Sequence, residues 1–378
     1  MEKIQMVDLH RQYLKIKSEV DCAISEVIDN STFIKGPSVN NFEKGLSDFL
    51  SCKHVIACAN GTDALQIALM ALNLKPGDEV IATGFTFIAT LEVVALLGLK
   101  IILIDIDNQT FNISVSEIEK AITPKTKAIV PVHLFGQPTD MEAILSLAKK
   151  HDLFVIEDTA QATGADYTFA DGTVCKAGTM GQIGCTSFFP SKNLGCFGDG
   201  GALFTNDDAL AETIRSITNH GMKVRYHHDI IGVNSRLDSI QAAVLNIKLS
   251  HLDKYNKARI EAANQYDKLL SEIKGIIVPF RAKNCTHIFH QYTIQLKDAQ
   301  LRDQLKKHLE KYEIPTMVYY PIPAHLQKAY ESLAYKKGDF PVTEDICSRV
   351  LSLPMHTELD SEQIDYICDK IAQFMQQQ

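Results

Sequence analysis

Residues 128–158 read AIVPVHLFGQPTDMEAILSLAKKHDLFVIED, and this stretch decides the fold. It opens on an apolar run (128–135), turns through Gly136, Pro138 and Thr139, and then places Met141, Ile144, Leu145 and Ala148 at helical spacing. A second apolar run (153–158) closes it. Strand, helix and strand in succession make a βαβ unit, and runs that are apolar at successive positions suit strands buried on both faces. The same rhythm starts earlier, with VIACA (55–59), a helical pattern over 62–72, EVIAT (79–83), a helix over 88–97, KIILIDI (100–106) and a helix over 116–122. Such alternation predicts an α/β fold with a mostly parallel sheet covered by helices on both sides. Right-handed crossovers bring the carboxyl ends of the strands to one edge, where ligands bind.

Outward from this core the pattern loosens. Two amphipathic helices are expected over 16–27 and 39–49, separated by the Gly36-Pro37 turn signal. Beyond Gly184 come a strand, a glycine-rich turn, a second strand and a helix over 208–219. From Leu237 an apolar periodicity continues to Ile273, too long for one ordinary helix, and is expected to bend. Strands near GIIVPF (275–280), HQYTIQL (290–296) and PTMVYY (315–320) and helices over 299–313 and 361–376 complete a smaller α+β unit. The expected division is a large domain over 1–250 with an N-terminal arm, and a small C-terminal domain over 251–378.

Composition narrows the partners. The net charge is -8, from 38 Lys and Arg against 46 Asp and Glu, which argues against nucleic acid or an anionic membrane as partner and for small molecules. Nine cysteines with no C-x-x-C pair suit reduced thiols. With no apolar signal core in MEKIQMVDLHRQY and no long apolar span, a cytoplasmic protein is expected. His287 and His290 are spaced to share a helix face, but no carboxylate or cysteine at matching spacing joins them, which argues against a metal site.

Three features carry chemistry. Lys192 stands in TSFFPSKNLGCFGDGGALFTN (186–206) among Phe188, Phe189, Pro190 and Leu194, where burial lowers an amine's pKa toward the nucleophilic form. Asn60-Gly61-Thr62-Asp63 lies where a strand gives way to a helix, the setting of free N–H groups that receive a phosphate, although an ordinary N-cap looks the same. Asp158 ends an apolar strand, and a carboxylate there needs a cationic partner; a plain N-cap is the alternative. A phosphate cradle, a strand-end carboxylate and a later lysine match the needs of pyridoxal 5'-phosphate: an anchor, a partner for the protonated ring nitrogen, and an amine. The glycines after Lys192 spell no G-x-G-x-x-G and shape the turn instead.

GTDAL (61–65), FTFIAT (85–90), EDTAQ (157–161), TSFFPSKNLGCFGDGG (186–201), GVNSRLDSIQAAVL (232–245) and VYYPIPAHLQ (318–327) together resemble the DegT/DnrJ/EryC1/StrS family of pyridoxal phosphate-dependent sugar aminotransferases. The resemblance spans nearly the whole chain in the family's order and implies a fold-type I transferase like aspartate aminotransferase. It implies Lys192 as the Schiff-base lysine and proton carrier, Asp158 on the pyridinium nitrogen, Gln161 on the phenolate oxygen and Phe87 on the ring face. Gly61, Thr62 and Ser187 match the phosphate cradle, and Asn234 matches a residue that reaches the phosphate from the neighbouring subunit, so a homodimer is implied. Arg236 is a candidate for a sugar carboxylate or the pyrophosphate, with an interface ion pair as alternative. Tyr319, Tyr320 and His325 fall in the motif that lines the sugar pocket. The implied reaction moves an amino group from L-glutamate, through pyridoxamine phosphate, to a ketone of a nucleotide-linked sugar for surface polysaccharide. Within the family the motifs look closest to enzymes acting on UDP-linked N-acetyl 3-keto hexuronic acid. Alternatives are dTDP-linked 3-keto or nucleotide-linked 4-keto sugars, the dehydratase branch, which carries histidine at the place of Lys192, and a non-catalytic regulator on the same fold.

Overall fold

The computed structural model describes residues 2–378. Two helices lead in, α1 (Leu9–Asp29) and α2 (Pro37–Leu50). The alternating region follows: β1 (His54–Cys58), α3 (Gly61–Ala71), β2 (Glu79–Thr83), α4 (Ala89–Leu96), β3 (Lys100–Ile104), α5 (Val115–Ala121), β4 (Thr126–Ile129), α6 (Met141–His151) and β5 (Phe154–Asp158). Then come a small hairpin, β6 (Asp166–Thr168) with β7 (Val174–Lys176), the strands β8 (Ile183–Ser187) and β9 (Gly201–Thr205), and α7 (Asp208–Ile217). A second hairpin, β10 (Met222–Val224) with β11 (His227–His228), precedes α8 (Ser239–Ser250) and α9 (Leu252–Leu270). The remainder is β12 (Tyr292–Gln295), α10 (Ala299–Glu310), α11 (Pro341–Arg349), β13 (Val350–Leu353) and α12 (Ser361–Met375).

Seven strands form the central sheet in the order β1-β9-β8-β5-β4-β2-β3. Only β9 runs against its neighbours, pairing antiparallel with both β1 and β8. Successive strand residues face opposite layers. Val80, Ala82, Ile56 and Ile156 pack under α3, α4 and α7, while Ile81 and Val155 meet α5 and α6, and Val55 and Ala57 meet α2 and α8. Burial of these side chains on both faces, at roughly 25 cal/mol per Å² of apolar surface, is the main force holding the sheet. A separate core gathers Ala263, Tyr266 and Leu270 of α9, Tyr292 and Ile294 of β12, Leu351 of β13 and Ile367 of α12, and it also takes in Ile4 from the lead-in.

The expected bend after Leu237 is real: His251 divides α8 from α9. The C-terminal strands differ from expectation. GIIVPF and PTMVYY contribute single bridges, Ile277 with Gln295 and Met317 with Ser352, whereas the strand partner of β12 is β13. His287 and His290 lie in irregular chain rather than on a helix, and no group of three or more metal-ligating side chains gathers among the described residues. No helix there is long and apolar enough to cross a membrane, and all nine cysteines are free thiols.

Candidate active site

The carboxyl ends of β1, β2, β4, β5 and β8 converge on a cavity of about 630 Å³. Asn60, Gly61 and Thr62 follow β1, Thr86 and Phe87 follow β2, Val132 and Phe135 follow β4, and Asp158 and Ser187 end β5 and β8; all of them line it. Lys192, Gln161, Tyr319 and Tyr320 join them. Of the residues expected at the site, nine therefore meet in one cavity. Asn234, Arg236 and His325 do not line it. Asn234 is exposed on the segment leading to α8. His325 is buried behind the wall, its Nε2 3.0 Å from Glu344 Oε1.

Lys192 sits in the loop from β8 to β9, whose two strands are hydrogen-bonded neighbours, so both ends of the loop are clamped. Within it, the Lys192 N–H donates to the Phe189 carbonyl (2.8 Å) and the Cys196 N–H to the Phe188 carbonyl (2.8 Å). A side chain at Gly195 would put its Cβ 2.4 Å from the Pro190 oxygen, so only glycine closes this turn. The Lys192 amine makes no hydrogen bond or ion pair among the described residues. Burial pulls its pKa down to about 8, against the charge of Asp158, which favours the ammonium.

Asp158 is 7% exposed. Burial raises its pKa, while the Ala160 N–H (3.1 Å to Oδ1), the Thr90 hydroxyl (2.9 Å to Oδ2) and the nearby Lys192 oppose the rise. The preceding Glu157, wholly buried, accepts from the Gly178, Met180 and Gly181 N–H groups and from His133 Nε2 (2.9 Å). The Thr139 N–H donates to His133 Nδ1, which fixes the tautomer with the proton on Nε2. The end of β5 is thus held from beneath.

At the start of α3 the Asn60 side chain caps the Asp63 N–H (2.8 Å), leaving the Gly61 and Thr62 N–H groups without partners among the described residues. A Cβ on Gly61 would lie 2.6 Å from Ser187 Cβ, so the helix start presses directly on the end of β8. Gln161 is fixed by its own bonds, accepting from the Phe135 N–H (2.7 Å) and donating to the Tyr320 hydroxyl (3.2 Å). Burial raises the pKa of both Tyr319 and Tyr320, keeping the phenols protonated. Phe87 is 57% exposed and lines the opening.

This donor set fits pyridoxal 5'-phosphate. A buried carboxylate lacks a directly bonded cation, a free amine shares its cavity, and a helix start with its Gly61 and Thr62 N–H groups open presses on Ser187 across the floor. Sequence reasoning missed Thr90, which braces Asp158, and weighed His290 only as a metal ligand, whereas it lines the cavity with its Nδ1 buried and unpartnered. The run HIFHQY entering β12 was the only signal for His290, and it reads equally as core.

Likenesses to known proteins agree with this geometry. The chain is 48% identical to a pleiotropic regulatory protein of Geobacillus stearothermophilus, with 98% of each chain covered. It is 46% identical to the UDP-2-acetamido-2-deoxy-3-oxo-D-glucuronate aminotransferase of Pseudomonas aeruginosa, covering 97% of this chain and 98% of that one. The solved structure of S. venezuelae DesV superposes with a TM-score of 0.95 at 38% identity over 99% of both chains. The structure of NtdA from Bacillus subtilis with bound cofactor PMP gives 0.91 at 33% identity, covering 100% of this chain and 86% of that one. Matched by the family's model over residues 14–372, the chain belongs to the DegT/DnrJ/EryC1/StrS aminotransferase family and is a pyridoxal phosphate-dependent aminotransferase.

Proposed function

We propose that the enzyme moves the amino group of L-glutamate to the C3 ketone of a UDP-linked N-acetyl 3-keto hexuronic acid, in a cytoplasmic homodimer with shared active sites, and so supplies an amino sugar for surface polysaccharide. The observation that carries the sugar is the 46% likeness to the Pseudomonas aeruginosa enzyme named for that substrate. The shared site is supported by charge. Asp63, Asp158 and Asp199 line the cavity against Lys192 and a neutral His290, so a substrate carboxylate and pyrophosphate need cations from elsewhere. Arg236 lies outside its own chain's cavity and makes no ion pair among the described residues, which leaves its guanidinium free to serve a second copy.

When bound, pyridoxal phosphate supplies the electron sink for the carbanion formed when the substrate C–H bond breaks. The protein's own groups do the rest. The Gly61 and Thr62 N–H groups, at the positive end of α3, hold the phosphate together with Ser187. Asp158, whose charge burial disfavours and the Ala160 N–H and Thr90 hydroxyl favour, would hold a proton on the ring nitrogen. Lys192, with a pKa near 8, takes a proton at Nζ from the donor carbon and gives one back to the acceptor side. Gln161, Tyr319 and Tyr320 would orient the cofactor and the sugar, and Phe87, which lines the opening, would shield them from water.

The test is a panel of UDP- and dTDP-linked 3-keto and 4-keto sugars aminated at the expense of glutamate. The UDP-linked 3-keto hexuronate should show the highest kcat/KM; faster use of a dTDP-linked or 4-keto sugar overturns the assignment. Mixing Lys192→Ala with Asn234→Ala chains should restore activity absent from either alone, and no restoration would remove the shared site.

A further inference from the structure

Residues 286–291, THIFHQ, cross behind the lysine turn as irregular chain before β12 begins. They are pinned at several points. The Ile288 N–H donates to the Gly136 carbonyl (2.9 Å), and Phe289 adopts a positive φ of 48°. From α9, the buried Arg259 guanidinium gives Nη1 to the carbonyls of Phe289 (3.2 Å), His290 (3.3 Å) and Met355 (3.1 Å). Asn193, the residue after Lys192, donates from Nδ2 to the Ile288 carbonyl (3.2 Å) and to Asn256 Oδ1 (2.7 Å). The lysine turn and the segment carrying His290 are therefore fastened to each other.

His290 is 6% exposed, lines the same cavity as Lys192, and buries an Nδ1 that has no hydrogen-bond partner. An unpartnered buried nitrogen is unfavourable, so it asks for a partner that is present at some stage of the cycle. Burial, followed by the charges of Lys192 from the turn and Arg259 from α9, holds the imidazole pKa well below its ordinary value. The ring is neutral at working pH, so one of its nitrogens is an acceptor.

We propose that His290 is a positioning residue for Lys192, its imidazole accepting a hydrogen bond from the Lys192 ammonium while that amine holds the proton taken from substrate. The inference rests on Lys192 being the reacting amine. No bond is made or broken at His290. The proton stays on Nζ, burial of the ring and the charge of Arg259 oppose its loss to the imidazole, and the hydrogen bond fixes where the ammonium waits before the proton is returned.

The experiment uses the full-length, cofactor-free protein and reads Lys192 by reductive methylation across pH, with peptide mass spectrometry. A neutral acceptor stabilises the ammonium, so its removal must lower the pKa. In His290→Phe, and in His290→Leu should the first not fold, the labelling midpoint should fall by about one pH unit, a tenfold change in the protonation ratio. His290→Asn, which keeps an acceptor, should restore the wild-type midpoint. In the loaded enzyme, His290→Phe should lower kcat about tenfold with KM for glutamate held, and raise the kinetic isotope effect on α-deuterated glutamate. A Lys192 midpoint indifferent to all three substitutions overturns the proposal. Failure of Lys192 to capture pyridoxal phosphate at all would instead remove the reading on which it rests.

Discussion

The Thr90 hydroxyl donates to Asp158 Oδ2 at 2.9 Å from the first turn of α4, and it is the only side-chain hydrogen bond to that carboxylate among the described residues. The bond opposes the cost of burying a charge. Thr90→Val removes it at nearly constant volume and leaves the carboxylate still higher in pKa. A charge-assisted hydrogen bond contributes about 1.5–3 kcal/mol, so the half-reaction with the proposed donor, glutamate, should slow at least tenfold in single-turnover absorbance measurements. An unchanged rate would mean that the Ala160 N–H alone suffices.

Lys192→Ala should abolish covalent capture of pyridoxal phosphate, read as the loss of the adduct mass after borohydride reduction. In the wild type, the amine becomes neutral as pH rises through about 8. The rate of capture should therefore climb about tenfold per unit below that value and level off above it. A midpoint near that of an exposed lysine would show that the turn does not bury the amine.

Gly61→Ala places a methyl group where Ser187 Cβ stands 2.6 Å away. The start of α3 must lift from β8, a strain of about 1–3 kcal/mol, and the Gly61 and Thr62 N–H groups, proposed to hold the phosphate, move with it. Cofactor affinity should drop about tenfold or more by equilibrium dialysis, with overall stability reduced less in the cofactor-free protein.

Lys248 on α8 is 2% exposed and has no anionic hydrogen-bond partner among the described residues; its amine lies over the ring of Phe197, 4.8 Å from the centroid. Burial draws its pKa down to about 8, opposed by Cys196. The unfolded chain binds the extra proton between pH 8 and the ordinary lysine range, so stability rises with pH across that window and the penalty is complete below it. Lys248→Met should raise the unfolding free energy at pH 7 by about 1–2 kcal/mol after loss of the cation–π contact, and flatten that rise. Denaturant titrations at pH 7 and pH 10 read both effects.

The alternating core was legible because its strands are buried on both faces. The run LFVIED contains β5, and the helical spacing of Met141, Ile144, Leu145 and Ala148 falls within α6. β13 was not legible: VLSL follows Arg349 of α11 directly, with no turn residue to punctuate it. Lys192, Asp158 and Gly61 could be found because each marks a local break in pattern. Thr90 and His290 could not, because their meaning depends on partners far along the chain. His325 shows the converse. Its motif points to the sugar pocket, yet the imidazole braces Glu344, which in turn accepts the Gly338 N–H (2.6 Å).

The single reversed strand also sets a timetable for the newborn chain. β1 is an edge strand whose sole neighbour in the sheet is β9, with Cys58 set against Gly201. During synthesis VIAC emerges with nothing to pair against until the lysine loop has been made. Closure of the sheet and placement of the Lys192 amine are therefore one event, and a chain arrested before Gly201 carries an unpaired apolar edge open to association.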